Sequence, residues 1–136
     1  MQGGFCVMTK KRAFISFDYE NDKKLKRELI GQSKKADSPF EIVDVSAKES
    51  YDPYWEEDAR EKIKSSDVMI VICGYNTDTA DGVSAELSIA QEENIPYFFL
   101  WGRKNKLVTK PKGALDSDKI YGWNKGSLKL LLSGKR

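Results

Sequence analysis

Residues 67–73 read DVMIVIC, a run that is apolar without a break after Asp67 and is bounded by Ser66 on one side and Gly74 on the other. Continuous rather than alternating hydrophobicity predicts a strand buried on both faces, the mark of a parallel sheet covered by helices. Residues 13–17 (AFISF), set between Lys11-Arg12 and Asp18, read the same way. So do residues 40–45 (FEIVDV) and 95–101 (IPYFFLW), the latter with its proline at the strand entry. A weak fifth strand is expected over residues 119–122.

Helical segments alternate with these strands. Asn21 or Asp22 is placed to cap a first helix that carries Leu25, Leu29 and Ile30 and ends near Gly31. Asp52-Pro53 opens a second, with Trp55, Ala59 and Ile63 four apart as its inner stripe. A third runs from about Val83 to Glu93, and a short terminal helix covers residues 127–132. Alternation of this kind, with right-handed crossovers, predicts a doubly wound three-layer α/β/α domain with strand order 2-1-3-4-5. Ligands of such sheets sit beyond the carboxyl ends of the strands, where the order reverses. Here that crevice lies between the first and third strands. Ser16, Phe17, Asp18 and Tyr19 reach it from one loop, and Cys73, Gly74, Tyr75 and Asn76 from the other.

Composition bounds the chemistry. With 136 residues the chain suits one domain, expected over residues 11–136 behind a flexible extension of residues 1–10. Two cysteines, Cys6 and Cys73, make no disulfide scaffold and no zinc pattern. Histidine is absent, which excludes Ser-His-Asp and Cys-His triads and any imidazole base. A net charge of +2 from interspersed charges gives no strong field for nucleic acid or an anionic membrane. The longest apolar stretch, Ile95–Trp101, is far shorter than the ~20 residues of a spanning helix. MQGGFCVMTKKR lacks the apolar core of a signal peptide, so a reduced, cytoplasmic location is expected.

The usual occupants of this architecture leave marks that are missing. No G-x-G-x-x-G follows the first strand, and no G-x-x-x-x-G-K-[ST] occurs anywhere. A phosphoacceptor domain needs an aspartate at the end of the third strand, where Cys73 stands. Cys73 itself reads as a small buried hydrophobe, since nothing obvious activates it. The basic run from Arg103 to Lys112 reads as a solvated loop.

The informative helix is VSAELSIAQEE, residues 83–93. At roughly 100° per residue, Val83, Leu87, Ala90, Ile89 and Ala85 define one wide apolar arc, and Glu86 falls inside it. Ser84, Ser88 and Gln91 take the opposite arc. A carboxylate turned toward an apolar interior is costly unless something there uses or compensates it. Glu86 also follows the loop GYNTDTADG (residues 74–82), whose hydroxyls, amides and carboxylates suit a ribose or an amide, or else an ordinary polar loop capped by Asp81.

Residues 12–22 (RAFISFDYEND) and 65–102 (SSDVMIVICGYNTDTADGVSAELSIAQEENIPYFFLWG) resemble the first strand and loop, and the third strand, loop, glutamate-bearing helix and fourth strand, of TIR-like domains. The likeness is greatest to compact TIR-like proteins of the ThsB type in bacterial Thoeris anti-phage systems, over about Lys11 to Trp101. The resemblance implies a flavodoxin-like fold. It also implies cleavage of the nicotinamide–ribose bond of NAD, which is substrate rather than cofactor, to yield a signalling nucleotide read by a separate effector. By the same resemblance Glu86 is the catalytic glutamate. The resemblance implies that Phe17 and Asp18 help to line the nucleotide pocket; Ser16, Tyr19, Ser46, Cys73, Gly74, Tyr75, Asn76, Thr77 and Val83 complete the expected substrate-binding set, no metal is expected, and a homo-oligomer is an expected form of the chain. The tryptophan-cysteine pair that precedes the glutamate in larger TIR domains is replaced here by Val83-Ser84-Ala85. The alternative from a different class is a non-catalytic TIR-like interaction module.

Overall fold

The structure, a computed structural model, describes residues 11–18, 21–35, 40–45, 54–102, 107–124, 128, 131 and 132, without the side chains of residues 43–45. The expected extension 1–10, the pocket residues Tyr19 and Ser46, and the helix-opening Asp52-Pro53 lie outside the described residues.

Five strands form one parallel sheet in the order β2-β1-β3-β4-β5. They are β1 (Lys11–Ser16), β2 (Phe40–Val45), β3 (Val68–Cys73), β4 (Tyr97–Trp101) and β5 (Ile120–Gly122). The crossovers carry α1 (Lys23–Ser33), α2 (Trp55–Lys64) and α3 (Asp81–Glu92). Leu128, Leu131 and Leu132 are helical, as the expected terminal helix requires.

Strand pleating divides the core in two. Ala13, Ile15, Phe17, Ile70, Ile72, Phe98 and Leu100 face α1 and the C-terminal leucines. Phe14, Met69, Val71, Cys73 and Phe99 face α2 and α3. All six residues of β3 are buried, which is why its sequence is continuous and apolar.

Several boundaries differ from expectation. α1 runs through Gly31 to Ser33, because buried Leu29 and Ser33 anchor its last turn while Gly31 has open space around it. α3 starts at Asp81, with Ala80 rather than Asp81 in the capping position. Asp81 instead lies in the first turn, where its charge suits the positive end of the helix. Trp55 is only half-buried; Ala59 and Ile63 supply the inner stripe. β4 begins at Tyr97, after a turn in which Asn94 takes a left-handed φ of 56°. Among the described residues no helix is long and apolar enough to cross a membrane.

Candidate functional site

Ser16 ends β1 on the face that carries α3, one residue after Ile15 on the opposite face. On α3, Val83, Glu86, Leu87 and Ala90 recur at helical spacing and are all buried. These two periodicities meet at the carboxyl end of the sheet. There the Ser16 hydroxyl donates to Glu86 Oε1 at 2.7 Å. Ser16 is fully buried and Glu86 is 1% exposed. A carboxylate removed from water in this way depends on polar partners, and a buried hydroxyl aimed at it fixes its position. The inward orientation read from the helical arc is therefore the one observed.

The neighbouring loops are held by their own hydrogen bonds. Asp18, at 7% exposure, accepts from Asn21 Nδ2 at 2.6 Å, and its carbonyl accepts from the Asp22 N–H at 2.8 Å, turning the chain into α1. After β3, the Gly74 N–H donates to the buried Thr77 hydroxyl at 2.7 Å. Asn76 accepts from the Thr79 N–H at 3.0 Å and closes the short 3-10 turn of Thr77–Thr79. Tyr75 stands exposed.

Phe17 lies in the core beneath α1, with Lys26 Nζ 5.8 Å from its ring centre, on the opposite side of the sheet from Glu86. Val83 packs in the core between α3 and the sheet. Cys73 is buried in that same layer. Its thiol is pushed up to about 12, first by burial and then by the charge of Asp22, with Lys110 opposing. A thiol held protonated is no nucleophile at neutral pH. Ser16 and Glu86 are thus brought together, Asp18, Gly74, Asn76 and Thr77 shape the adjoining turns, and Phe17, Val83 and Cys73 pack in the core, Phe17 on the far side of the sheet.

Two participants escaped the sequence reading. Asp22, expected as a possible cap, is 1% exposed and makes no side-chain cap bond to α1. Its carboxyl group lies against Gly74 instead: a Cβ at that position would meet Oδ1 at 2.6 Å and Cγ at 2.8 Å. Only glycine lets the two crevice loops approach so closely. The second is Thr109, within the run expected to be solvated. Its N–H donates to the Gly74 carbonyl at 2.9 Å, and its hydroxyl accepts from the Asp78 N–H at 2.9 Å. Ser84 and Gln91 donate to the carbonyls of Lys112 and Gly113 at 3.0 Å each. Residues 109–113 are therefore laced over the post-β3 loop and the polar arc of α3. No local pattern announces such ties, but hydroxyl and amide groups on both partners permit them.

One cavity among the described residues lies beside β4 and β5 at Trp101 and Trp123 and another at Tyr97 and Asp118; Glu86 lines neither of these. Among the described residues no group of three or more Cys, Asp or Glu is placed to hold a metal ion.

A family model described as Thoeris protein ThsB, TIR-like domain, matches residues 14–106. Among solved structures, the crystal structure of a prokaryotic SEFIR domain superposes with a TM-score of 0.54 at 21% identity, covering 92% of this chain and 89% of that one. That likeness speaks for the doubly wound, flavodoxin-like fold. No curated protein sequence matches the chain. The family match runs from within β1 through β4 and takes in both Ser16 and Glu86. The chain belongs to the ThsB family of TIR-like domains.

Proposed function

We propose that this TIR-like protein cleaves the nicotinamide–ribose bond of NAD and releases an ADP-ribose-derived signalling nucleotide in anti-phage defence. The observation that carries the reading is the buried Ser16–Glu86 pair at the carboxyl edge of the sheet. Breaking the bond between ribose C1′ and the pyridinium nitrogen sends the bonding electron pair to nicotinamide, which leaves neutral. The ribose then carries oxocarbenium charge. A fixed carboxylate stabilises that charge and holds ribose hydroxyls, as acids do in glycoside cleavage. Ser16 acts as a positioning residue, holding one oxygen of Glu86. Water, or a nucleophilic atom of the substrate itself, adds to C1′ and gives up its proton to complete hydrolysis or cyclisation.

NAD is the substrate in this scheme, and no separate cofactor is needed. The absence of histidine is no obstacle, because the leaving group requires no acid. The product is read by a separate effector in the cytoplasm, and assembly of several copies helps to exclude water from an otherwise open crevice. The turn residues Asp18, Gly74, Tyr75, Asn76 and Thr77, with Tyr19 and Ser46, form the substrate mouth.

One observation favours a second reading, a non-catalytic interaction module. Glu86 is 1% exposed and already accepts a hydrogen bond, as a purely structural glutamate does. Chromatography of nucleotides from phage-infected cells separates the two. Wild type is expected to deplete NAD and form a new ADP-ribose derivative, and Glu86→Gln to do neither while remaining folded. Unchanged NAD in wild-type cells that still resist phage supports the module.

A further inference from the structure

The loop that joins β3 to α3 is held by a segment that follows β4. Residues 107–114 of that segment read LVTKPKGA. Val108 and Ala114 pack against the core layer under α2 and α3, and Pro111 is buried. Apolar groups three residues apart therefore pin the segment down. Polar groups fasten it further: the Ser84 hydroxyl donates to the Lys112 carbonyl and the Gln91 amide to the Gly113 carbonyl, at 3.0 Å each. The family match ends at residue 106, so Thr109 and its neighbours lie beyond it.

Thr109 lies between these anchors and turns toward the loop. Its N–H donates to the Gly74 carbonyl at 2.9 Å. Its hydroxyl accepts from the Asp78 N–H at 2.9 Å. The hydroxyl proton has acceptors in the same loop, Asp78 Oδ1 at 3.1 Å and the Tyr75 carbonyl at 3.2 Å. A hydroxyl has one proton to give and lone pairs to receive, so this single oxygen ties together backbone at Tyr75 and at Asp78. The loop closes its own 3-10 turn at Thr77–Thr79, and the Asp22 carboxyl lies against Gly74. The hydroxyl contacts of Thr109 thus run to residues 74–78, whereas Glu86 is held through Ser16. A loop shaped before a ligand arrives loses less freedom when the ligand binds, which lowers the cost of capture.

We propose that Thr109 is a positioning residue for substrate: its hydroxyl holds residues 74–78 in the shape that receives NAD, and so governs capture rather than bond cleavage. The proposal rests on the reading of this crevice as an NAD site. Thr109→Val keeps the side-chain shape without the hydroxyl, and Thr109→Ser keeps the hydroxyl. Initial rates of NAD loss are measured against added NAD in lysates of phage-infected cells that carry the full chain, with Glu86→Gln as background. Amide hydrogen exchange is followed in the purified chain. Thr109→Val should raise KM at least about fivefold with kcat within about twofold of wild type, the scale of one lost hydrogen bond, while Thr109→Ser stays near wild type. The Asp78 amide should exchange faster in Thr109→Val, with β3 protected as in wild type. An unchanged KM, a fall in kcat alone, an equal KM rise in Thr109→Ser, unchanged exchange at Asp78 or lost protection across β3 would each overturn the proposal and leave the role of Glu86 standing. Wild-type NAD loss no faster than that of Glu86→Gln would instead remove the NAD reading, and the proposal with it.

Discussion

The carboxyl edge of the sheet has two contrasting regions. On the α2/α3 side, Ser16 and Glu86 are sealed from solvent and bonded to each other, with residues 109–113 laced across the adjacent loop and helix. On the α1 side, Trp101 and Trp123 border an open hollow with polar groups around its rim. Both derive from the same strand ends, and the difference comes from side-chain size. Where β1 and β3 end, buried groups fill the space and a carboxylate must be satisfied internally. Where β4 and β5 end, Gly102 and Gly122 are among the residues that line a hollow.

Stability measurements sharpen this contrast. The largest effect should come from Leu87→Ala, which cuts a fully buried side chain out of the layer that packs Glu86 against the sheet. A loss of about 2–5 kcal/mol is expected in urea unfolding. Gly122→Leu, on the open side, should unfold within error of wild type; a comparable loss there would break the contrast. Next in size is Ser16→Ala, which strips a buried carboxylate of a hydrogen bond at a cost of about 1–3 kcal/mol.

Cys73 gives a pH-dependent test of how dry the sealed side is. Its thiol lies at about 12 in the folded protein against an ordinary 9.0, so between those values the unfolded chain loses the proton first. Stability should fall as pH rises from 9 toward 12, by up to about 1.4 kcal/mol per unit from this group. Cys73→Ala should unfold with a flatter profile over that window; identical profiles would mean that water reaches the thiol. The smallest effect belongs to Arg60→Ala. Its contacts to Glu92 at 2.8 Å and Glu93 at 2.6 Å join α2 to the end of α3. They are exposed to solvent and salt, and the change in midpoint should be barely measurable.

Much of this was legible in the sequence. The run VMIVIC has no polar position through which a solvated face can pass, so a doubly covered central strand follows from it. The inward turn of Glu86 follows from helical geometry, since its neighbours at three and four residues are apolar. What could not be read depends on distant partners or on competing local rules. Thr109 reaches Gly74 across 35 residues of sequence without any periodic signal. Asp22 fits the residue type of a helix cap, and only the approach of Gly74 reveals its other position. Gly31 suggests a stop that buried Leu29 and Ser33 override.

The role proposed for the buried Glu86 carboxylate is to break the nicotinamide–ribose bond of NAD. The rate of NAD loss in phage-infected cells, compared between wild type and Glu86→Gln at matched amounts of folded protein, tests it most directly. A fall of at least about a hundredfold, the scale for losing one group that stabilises transition-state charge, is predicted. NAD consumption by Glu86→Gln at the wild-type rate would contradict it.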